Sequence, residues 1–285
     1  MVDSGLVIVD KPAGLTSHAV VGRVRRVLGT RKVGHAGTLD PMATGVLVLG
    51  VERATRLLGH LMLTEKFYEA TVRLGQSTST DDAEGDTLTE SVTDHLRPDA
   101  VLAEFNNQIG EIHQVPTAVS AIKVDGKRAY QRVRDGEQVD LLARPVTIHA
   151  LEVLDQRAVG DYLDVDIVVR CSSGTYIRAI ARDVGAALGV GGHLTALRRT
   201  AVGPFTLETA NADLDELDML PIGDAARCSF ACLDLDAEQA HHVRFGRPLP
   251  LPINGLTAVF APDGEFLALY RRDGTTARPA AVFVG

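Results

Sequence analysis

Apolar and polar positions alternate along this chain in recognisable stretches. Leu6 to Asp10 is a short apolar run that predicts a strand. Val20, Val21, Val24, Val27 and Leu28 recur at helical spacing, with Thr16 and Ser17 as N-caps and Gly29 as the stop. The opposite side of that helix carries Arg23, Arg25 and Arg26. Gly34 to Gly45 is too rich in glycine for a regular element and predicts a loop, followed by a buried strand over Val46 to Leu49. Glu69 to Leu74 and Leu163 to Val169 alternate as half-buried strands. Ile177, Ile180, Ala181, Val184 and Leu188 predict a second helix that ends at Gly189.

Strands and helices do not alternate regularly enough for a parallel array, so the pattern predicts an α+β fold built on a mixed, mainly antiparallel sheet. The acidic stretch Leu214 to Asp224 reads as a domain boundary. Beyond it, Leu256 to Ala261, Phe266 to Arg271 and Arg278 to Val284 predict three strands, with Asp-Gly turns at Asp263 and Asp273. The expected organisation is a larger domain over 1–224, then a small β domain over 228–285.

Composition narrows the possibilities. At 285 residues and 45% hydrophobic, the chain can bury an ordinary core. No apolar run suffices for a membrane span. The N-terminus lacks a basic stretch before its apolar residues, so a strand is expected there and not a signal peptide. Three cysteines without metal-site spacing read as reduced thiols in a cytoplasmic protein. The net charge of −8 argues, taken whole, against an RNA partner. The distribution argues otherwise: six bases and no acid lie between Lys11 and Leu39, five bases against Asp125 in Lys123 to Arg134, and five against Asp183 in Arg170 to Thr200. Each run taken alone also reads as a solvated helix face.

The chemistry concentrates in GHAGTLDPMATG, Gly34 to Gly45, which holds one carboxylate, Asp40, and one imidazole, His35. Its glycines permit tight turns and close approach of a ligand. The phosphate-loop pattern is absent, and no ligand spacing suggests a metal. Asp-Pro alone is equally a turn signal.

This segment resembles the catalytic motif of the TruB family of pseudouridine synthases, which modify uridine 55 in the T loop of tRNA. KPAGLTS (Lys11 to Ser17), YEATVRLGQSTSTDDAEGD (Tyr68 to Asp86), QVPTAVSAIKVDGKRAY (Gln114 to Tyr130), CSSGTYIRAIARDVG (Cys171 to Gly185) and GGHLTALRRTAVG (Gly191 to Gly203) resemble the family's other motifs, in order. The resemblance implies a pseudouridine synthase catalytic domain over 1–224 with an RNA-gripping insertion at about 114–145, a PUA-like C-terminal domain, and a redox-neutral isomerisation that uses neither cofactor nor metal. Asp40 is then the catalytic carboxylate, Arg178 its partner that keeps it ionised, and Tyr68 a base-stacking residue able to take the C5 proton. Tyr176 and Leu197 line the uridine pocket, and His35 helps to extrude the nucleotide. Arg23, Arg25, Arg26, Lys123, Lys127 and Arg128 are expected on the RNA backbone. The T-arm of tRNA is the implied partner, with no obligate protein partner. On the residues alone, Arg178 also reads as a solvated helix residue, and Tyr68, Tyr176 and Leu197 as core. A binding-only RNA folding factor and a small-molecule glycosyl enzyme are the competing functional classes. The joint presence of Asp40, Tyr68 and Arg178 disfavours the first, and the basic runs disfavour the second.

Overall fold

The computed structural model describes residues 2–118, 123–124, 127–128 and 141–284. Strand β1 (Gly5–Lys11) leads into helix α1 (Ser17–Leu28), which is capped by the Thr16 hydroxyl and closed by Gly29 in the left-handed region. The short strand Val33–His35 and the Gly-rich loop precede β2 (Thr44–Val51). Then follow β3 (Lys66–Leu74), β4 (Gly110–Gln114), the long β5 (Arg144–Val159) and β6 (Tyr162–Cys171). Helix α2 (Ile177–Ala187), β7 (Gly192–Val202) and β8 (Met219–Pro221) complete the first unit.

Among the described residues, ten strands form one sheet, with the main path β8-β1-β2-β7-β3-β6-β5-β4. Every neighbour pair on this path is antiparallel except β2 and β7, which touch in parallel at Thr44 with Arg198 and Gly45 with Arg199. Two antiparallel blocks therefore meet at one short parallel seam. The seam is tight: Gly45 has φ +102°, and a Cβ there would lie 2.2 Å from the Arg199 carbonyl oxygen.

Burial explains which strands alternate. β1 and β2 are covered on both faces and read as continuous apolar runs, whereas β3 is covered mainly on one face and alternates. Val7, Val9, Leu47 and Leu49 face the core under α1 and α2. Leu6, Ile8, Val46 and Val48 face a second core shared with Phe260, Phe266 and Phe283 of the C-terminal sheet.

That sheet is β9 (Ala231–Asp234), β10 (Thr257–Phe260), β11 (Phe266–Asp273) and β12 (Thr276–Val282). Periodicity missed β9, a four-residue strand that runs parallel to β10. The last strand starts at Thr276, two residues before the expected Arg278, because the turn at Asp273 pairs Asp273 directly with Thr276. The acidic segment is ordered: β8 extends the edge of the main sheet, and the helix Ile222–Ser229 follows at once. Arg53 and Arg56 donate to the Phe283 and Val282 carbonyls, each at 2.8 Å, and tie the last strand to the first unit.

Candidate active site

The loop between His35 and Thr44 runs over the parallel seam, and its neighbours hold it residue by residue. The Arg199 guanidinium, buried on β7, donates to the carbonyls of Val46 (2.7 Å), Gly37 (3.2 Å) and Thr38 (3.4 Å). The buried Ser17 hydroxyl at the start of α1 donates to the Leu39 carbonyl and accepts from its N–H. The Lys11 ammonium, buried at the end of β1, donates to the carbonyls of Pro12 (2.9 Å), Leu15 (2.7 Å) and Pro41 (3.2 Å). Capturing carbonyls satisfies these buried cations and fixes the backbone on both sides of Asp40.

Asp40 itself meets Arg178. Its Oδ2 lies 3.0 Å from the Arg178 Nε, and Arg178 is enclosed on the first turn of α2. The same guanidinium reaches Asp82 Oδ2 at 3.2 Å and donates to the Thr80 carbonyl at 2.6 Å. Asp82 is buried and accepts from the Glu84 N–H and the Thr80 hydroxyl. One guanidinium thus sits between two carboxylates, of which only Asp40 reaches the pocket. Burial pushes the Asp40 carboxyl above the ordinary carboxylate range; Arg178 pulls it down and the Asp82 charge pushes it up. Desolvation is the larger effect, so Arg178 moderates the rise and does not reverse it.

The pocket beside Asp40 is lined by Tyr68, Leu197, Tyr176, Arg178 and Arg199, among others. Tyr68 and Lys66 stand on the same face of β3, and Leu197 and Arg199 on the same face of β7. Burial raises the Tyr68 phenol, and the Arg199 guanidinium opposes that rise. Lys66 donates to the Met62 and Thr64 carbonyls, and burial lowers its ammonium to about 8, as it does for Lys11. Tyr176 is positioned through its backbone: its N–H donates to Gln114 Oε1 at 2.8 Å, and its carbonyl accepts from Gln114 Nε2 at 3.1 Å.

Five of the expected site residues therefore converge: Asp40, Tyr68, Tyr176, Arg178 and Leu197. His35 lies on the strand Val33–His35, paired with Leu49, and is not part of the pocket lining. Of the helical arginines, Arg23 bonds Asp215, Arg25 donates to the Val33 carbonyl at 2.8 Å, and Arg26 is exposed. Lys123 and Arg128 pair in a two-strand ribbon with Val124 and Lys127; the side chains of Lys123, Lys127 and Arg128 lie outside the described residues.

The third basic run is largely paired or enclosed within the protein. Arg170, Arg178, Arg182 and Arg198 pair with Glu65, Asp40 and Asp82, Asp81 and Asp183, and Asp10 respectively, and Arg199 is enclosed. Linear charge counts miss this, because all of the partners except Asp183 are distant in sequence. The sequence gives no site role to Lys11, Lys66, Asp82, Gln114 or Arg199, and marks Ser17 only as a helix cap. All six fall within or beside the quoted motifs, which was the available signal. Among the described residues, no three His, Cys, Asp or Glu side chains gather as a metal site would require, and no helix is long and apolar enough to cross a membrane.

Comparison with known proteins places this geometry. Residues 25–177 match the model of the TruB family pseudouridylate synthase N-terminal domain. Residues 178–223 match the tRNA pseudouridylate synthase B C-terminal domain, and 230–284 match the C-terminal model of tRNA pseudouridine synthase II. The chain is 57% identical to tRNA pseudouridine synthase B of Thermobifida fusca, over 99% of each chain. It is also 57% identical to the Nocardia farcinica protein of the same name, over 98% of this chain and 92% of the other. The fold resembles that of a Cbf5-Nop10-Gar1 complex crystal structure, with TM-score 0.73 and 26% identity over 98% of this chain and 85% of that one. A structure of an H/ACA RNP bound to a substrate RNA containing 2′-deoxyuridine gives TM-score 0.72 at 26% identity, over 99% of this chain and 85% of that one. With its carboxylate–guanidinium pair set over the seam of a mixed sheet and family matches along most of its length, the chain belongs to the TruB family of pseudouridylate synthases.

Proposed function

We propose that this protein isomerises uridine 55 in the T loop of tRNA to pseudouridine, with Asp40 as the catalytic carboxylate. The observation that carries the reading is the Asp40–Arg178 pair, held rigidly beside an aromatic and aliphatic pocket. The N1–C1′ bond breaks, the uracil turns, and C5 joins C1′; the C5 proton is lost and N1 gains one, so the reaction is an isomerisation. C1′ becomes electron-poor as the glycosidic bond breaks, and a carboxylate fixed beside the sugar stabilises that centre. Arg178 orients the carboxylate and opposes its protonation. Tyr68 stacks on the uracil and takes the C5 proton as the phenolate, a form that burial disfavours and the Arg199 guanidinium favours, while Tyr176 and Leu197 enclose the base. The bound RNA must close this pocket so that water does not intercept a glycosyl intermediate.

The uridine must leave its stack to reach such a pocket. His35 serves that extrusion from the rim of the catalytic loop. Arg23, Arg25 and Arg26, with Lys123, Lys127 and Arg128, carry the phosphate backbone, and residues 228–285 form a small PUA-like β domain packed on the catalytic domain 1–224. The reaction proceeds without a cofactor. The relatives named tRNA pseudouridine synthase B support tRNA as substrate.

Asp40→Asn tests the reading. The variant keeps its fold, because Arg178 retains Asp82 and the Thr80 carbonyl. Tritium release from 5-tritiated uridine in tRNA should fall by at least about 10²–10³-fold, the scale set by removing one preorganised charge-stabilising group. Near-normal release would remove Asp40 from the mechanism. Mapping pseudouridine in total tRNA from cells lacking the protein fixes the position: loss at position 55 alone is expected.

A further inference from the structure

Two apolar side chains stand in solvent at the mouth of the pocket. Leu63 is 75% exposed and Met62 46%, and both share the pocket lining with Asp40 and Tyr176. A single exposed leucine is ordinary on a protein surface. These two differ because the backbone that carries them is built to hold them out.

The helix Leu58–Leu61 just before them is anchored by Leu57, Leu58 and Leu61, all buried in the core shared with the C-terminal sheet. The chain then leaves the core for two residues and is caught again. The Lys66 ammonium donates to the carbonyls on either side of Leu63, those of Met62 at 2.9 Å and Thr64 at 3.0 Å. The Thr64 hydroxyl and N–H both return to the Leu61 carbonyl, and the Gly203 N–H donates to the Glu65 carbonyl at 2.9 Å. Gly203 itself passes close to Thr64; a Cβ there would lie 3.2 Å from Thr64 Cβ. A buried ammonium committed to two carbonyls of a surface turn is a costly device for a segment with no role. It leaves Leu63 as an apolar knob on a fixed backbone, next to the carboxylate.

We propose that Met62 and Leu63 form an apolar rim that packs against a nucleobase flanking the target uridine, holding the neighbouring stack while the uridine occupies the pocket. The inference rests on the functional reading above. Its occupant follows from continuity with the pocket: a nucleotide entering toward Asp40 brings its neighbours past this rim. The exposed face of a flanking base is flat and apolar, and leucine and methionine are among the side chains that fill the gap left in a parted stack. The rim contains no hydrogen-bonding side chain, so it acts on stacking geometry and tolerates different flanking bases.

The test is a cycle of protein and RNA changes on the full chain. Wild type and Leu63→Ala are each measured with an unmodified tRNA transcript and with transcripts carrying an abasic site 5′ or 3′ of the target uridine. Affinity and single-turnover pseudouridine formation are both read. Leu63→Ala should lose about tenfold on the intact transcript, the scale of one lost base contact, and almost nothing further on one of the two abasic transcripts, since the contact is already gone. Leu154→Ala, a truncation of another exposed leucine outside the pocket lining, should match wild type on every RNA. Indifference of the intact transcript to Leu63→Ala overturns the inference, as does a loss that persists undiminished on both abasic transcripts. A wild-type chain that leaves every uridine of the tRNA unchanged brings down the functional reading and this inference with it. Wild-type activity with an indifferent Leu63→Ala brings down the inference alone.

Discussion

At the scale of single residues, the site is governed by a guanidinium placed between two carboxylates. Because the Asp40 carboxyl is raised by burial and by the Asp82 charge, it ionises only above the ordinary carboxylate range. The step requires the ionised form, so the rate should fall about tenfold per pH unit as pH drops below that raised value, following the ionised fraction. Asp82→Asn removes the repelling charge and should move this acid limb to lower pH; single-turnover rates across pH read the shift, and an unmoved limb would show that Asp82 does not act on Asp40 through its charge. Arg178 needs a more careful variant. Arg178→Ala leaves the buried Asp82 without its partner, and removing one member of a buried pair costs about 3–5 kcal/mol of stability. Thermal unfolding should register that loss alongside the loss of turnover. Arg178→Lys keeps the charge but loses the forked geometry that spans Asp40 and Asp82. It should stay folded and bind tRNA while its turnover drops at least about tenfold, on the scale of one misplaced charge-assisted hydrogen bond.

At the scale of elements, the catalytic loop is rigid because three separate elements each contribute one anchor: β1 through Lys11, α1 through Ser17 and β7 through Arg199. The seam between β2 and β7 brings those elements within reach of the loop, and Gly45 makes the seam possible. Gly45→Ala imposes a side chain at φ +102° and drives a Cβ into the Arg199 backbone. It should destabilise the fold by at least about 2 kcal/mol, read as a lowered denaturant midpoint, and should disturb Asp40 as the seam opens. An unchanged midpoint would show that the seam relaxes freely and does not fix the loop. Helix α1 has a double task, since Ser17 at its start holds the loop while its basic side faces outward.

At the scale of the whole molecule, net charge and local charge pull in different directions. Phosphate contacts release counterions, so tRNA affinity should fall by about 0.7–0.9 log unit per log unit of salt for each contact. Arg26 is the cleanest probe of α1, because Arg23 and Arg25 also bond the protein. Arg26→Glu should weaken binding and flatten the salt slope by roughly one contact, with little effect on the chemical step once RNA is bound. Asp94→Lys, at an exposed acid, serves as the control. If a change at Asp94 alters the salt slope as much as one at Arg26, the encounter answers to total charge and not to a local track. The C-terminal sheet matters at this scale too. Its phenylalanines cover the outer face of β1 and β2, so it completes the core beneath the catalytic loop as well as adding surface.

The sequence by itself determined the regular elements whose signal is local. The apolar period of α1 and α2, the cap at Thr16 and the stop at Gly29, and the alternation of β3 and β6 each follow from residues a few positions apart. It also singled out Asp40 as the candidate reacting group, because a single carboxylate in a Gly-rich loop stands out and the surrounding motifs repeat a known order. It did not determine the strand Ala231–Asp234, whose four residues are too few to show a period and whose pairing with β10 is parallel. Nor did it determine which bases face RNA: Lys11, Lys66 and Arg199 look like solvated charge along the chain, yet each is buried and bonded to backbone carbonyls. Asp40, Asp82 and Arg178 show the division most clearly. Each was visible as a residue type, but the distance that makes one guanidinium serve two carboxylates, and the desolvation that raises Asp40, arise only when the loop, the segment that carries Thr80 and Asp82, and α2 are folded onto one seam. Burial and long-range pairing are properties of the enclosed volume, and only the tertiary structure encloses one.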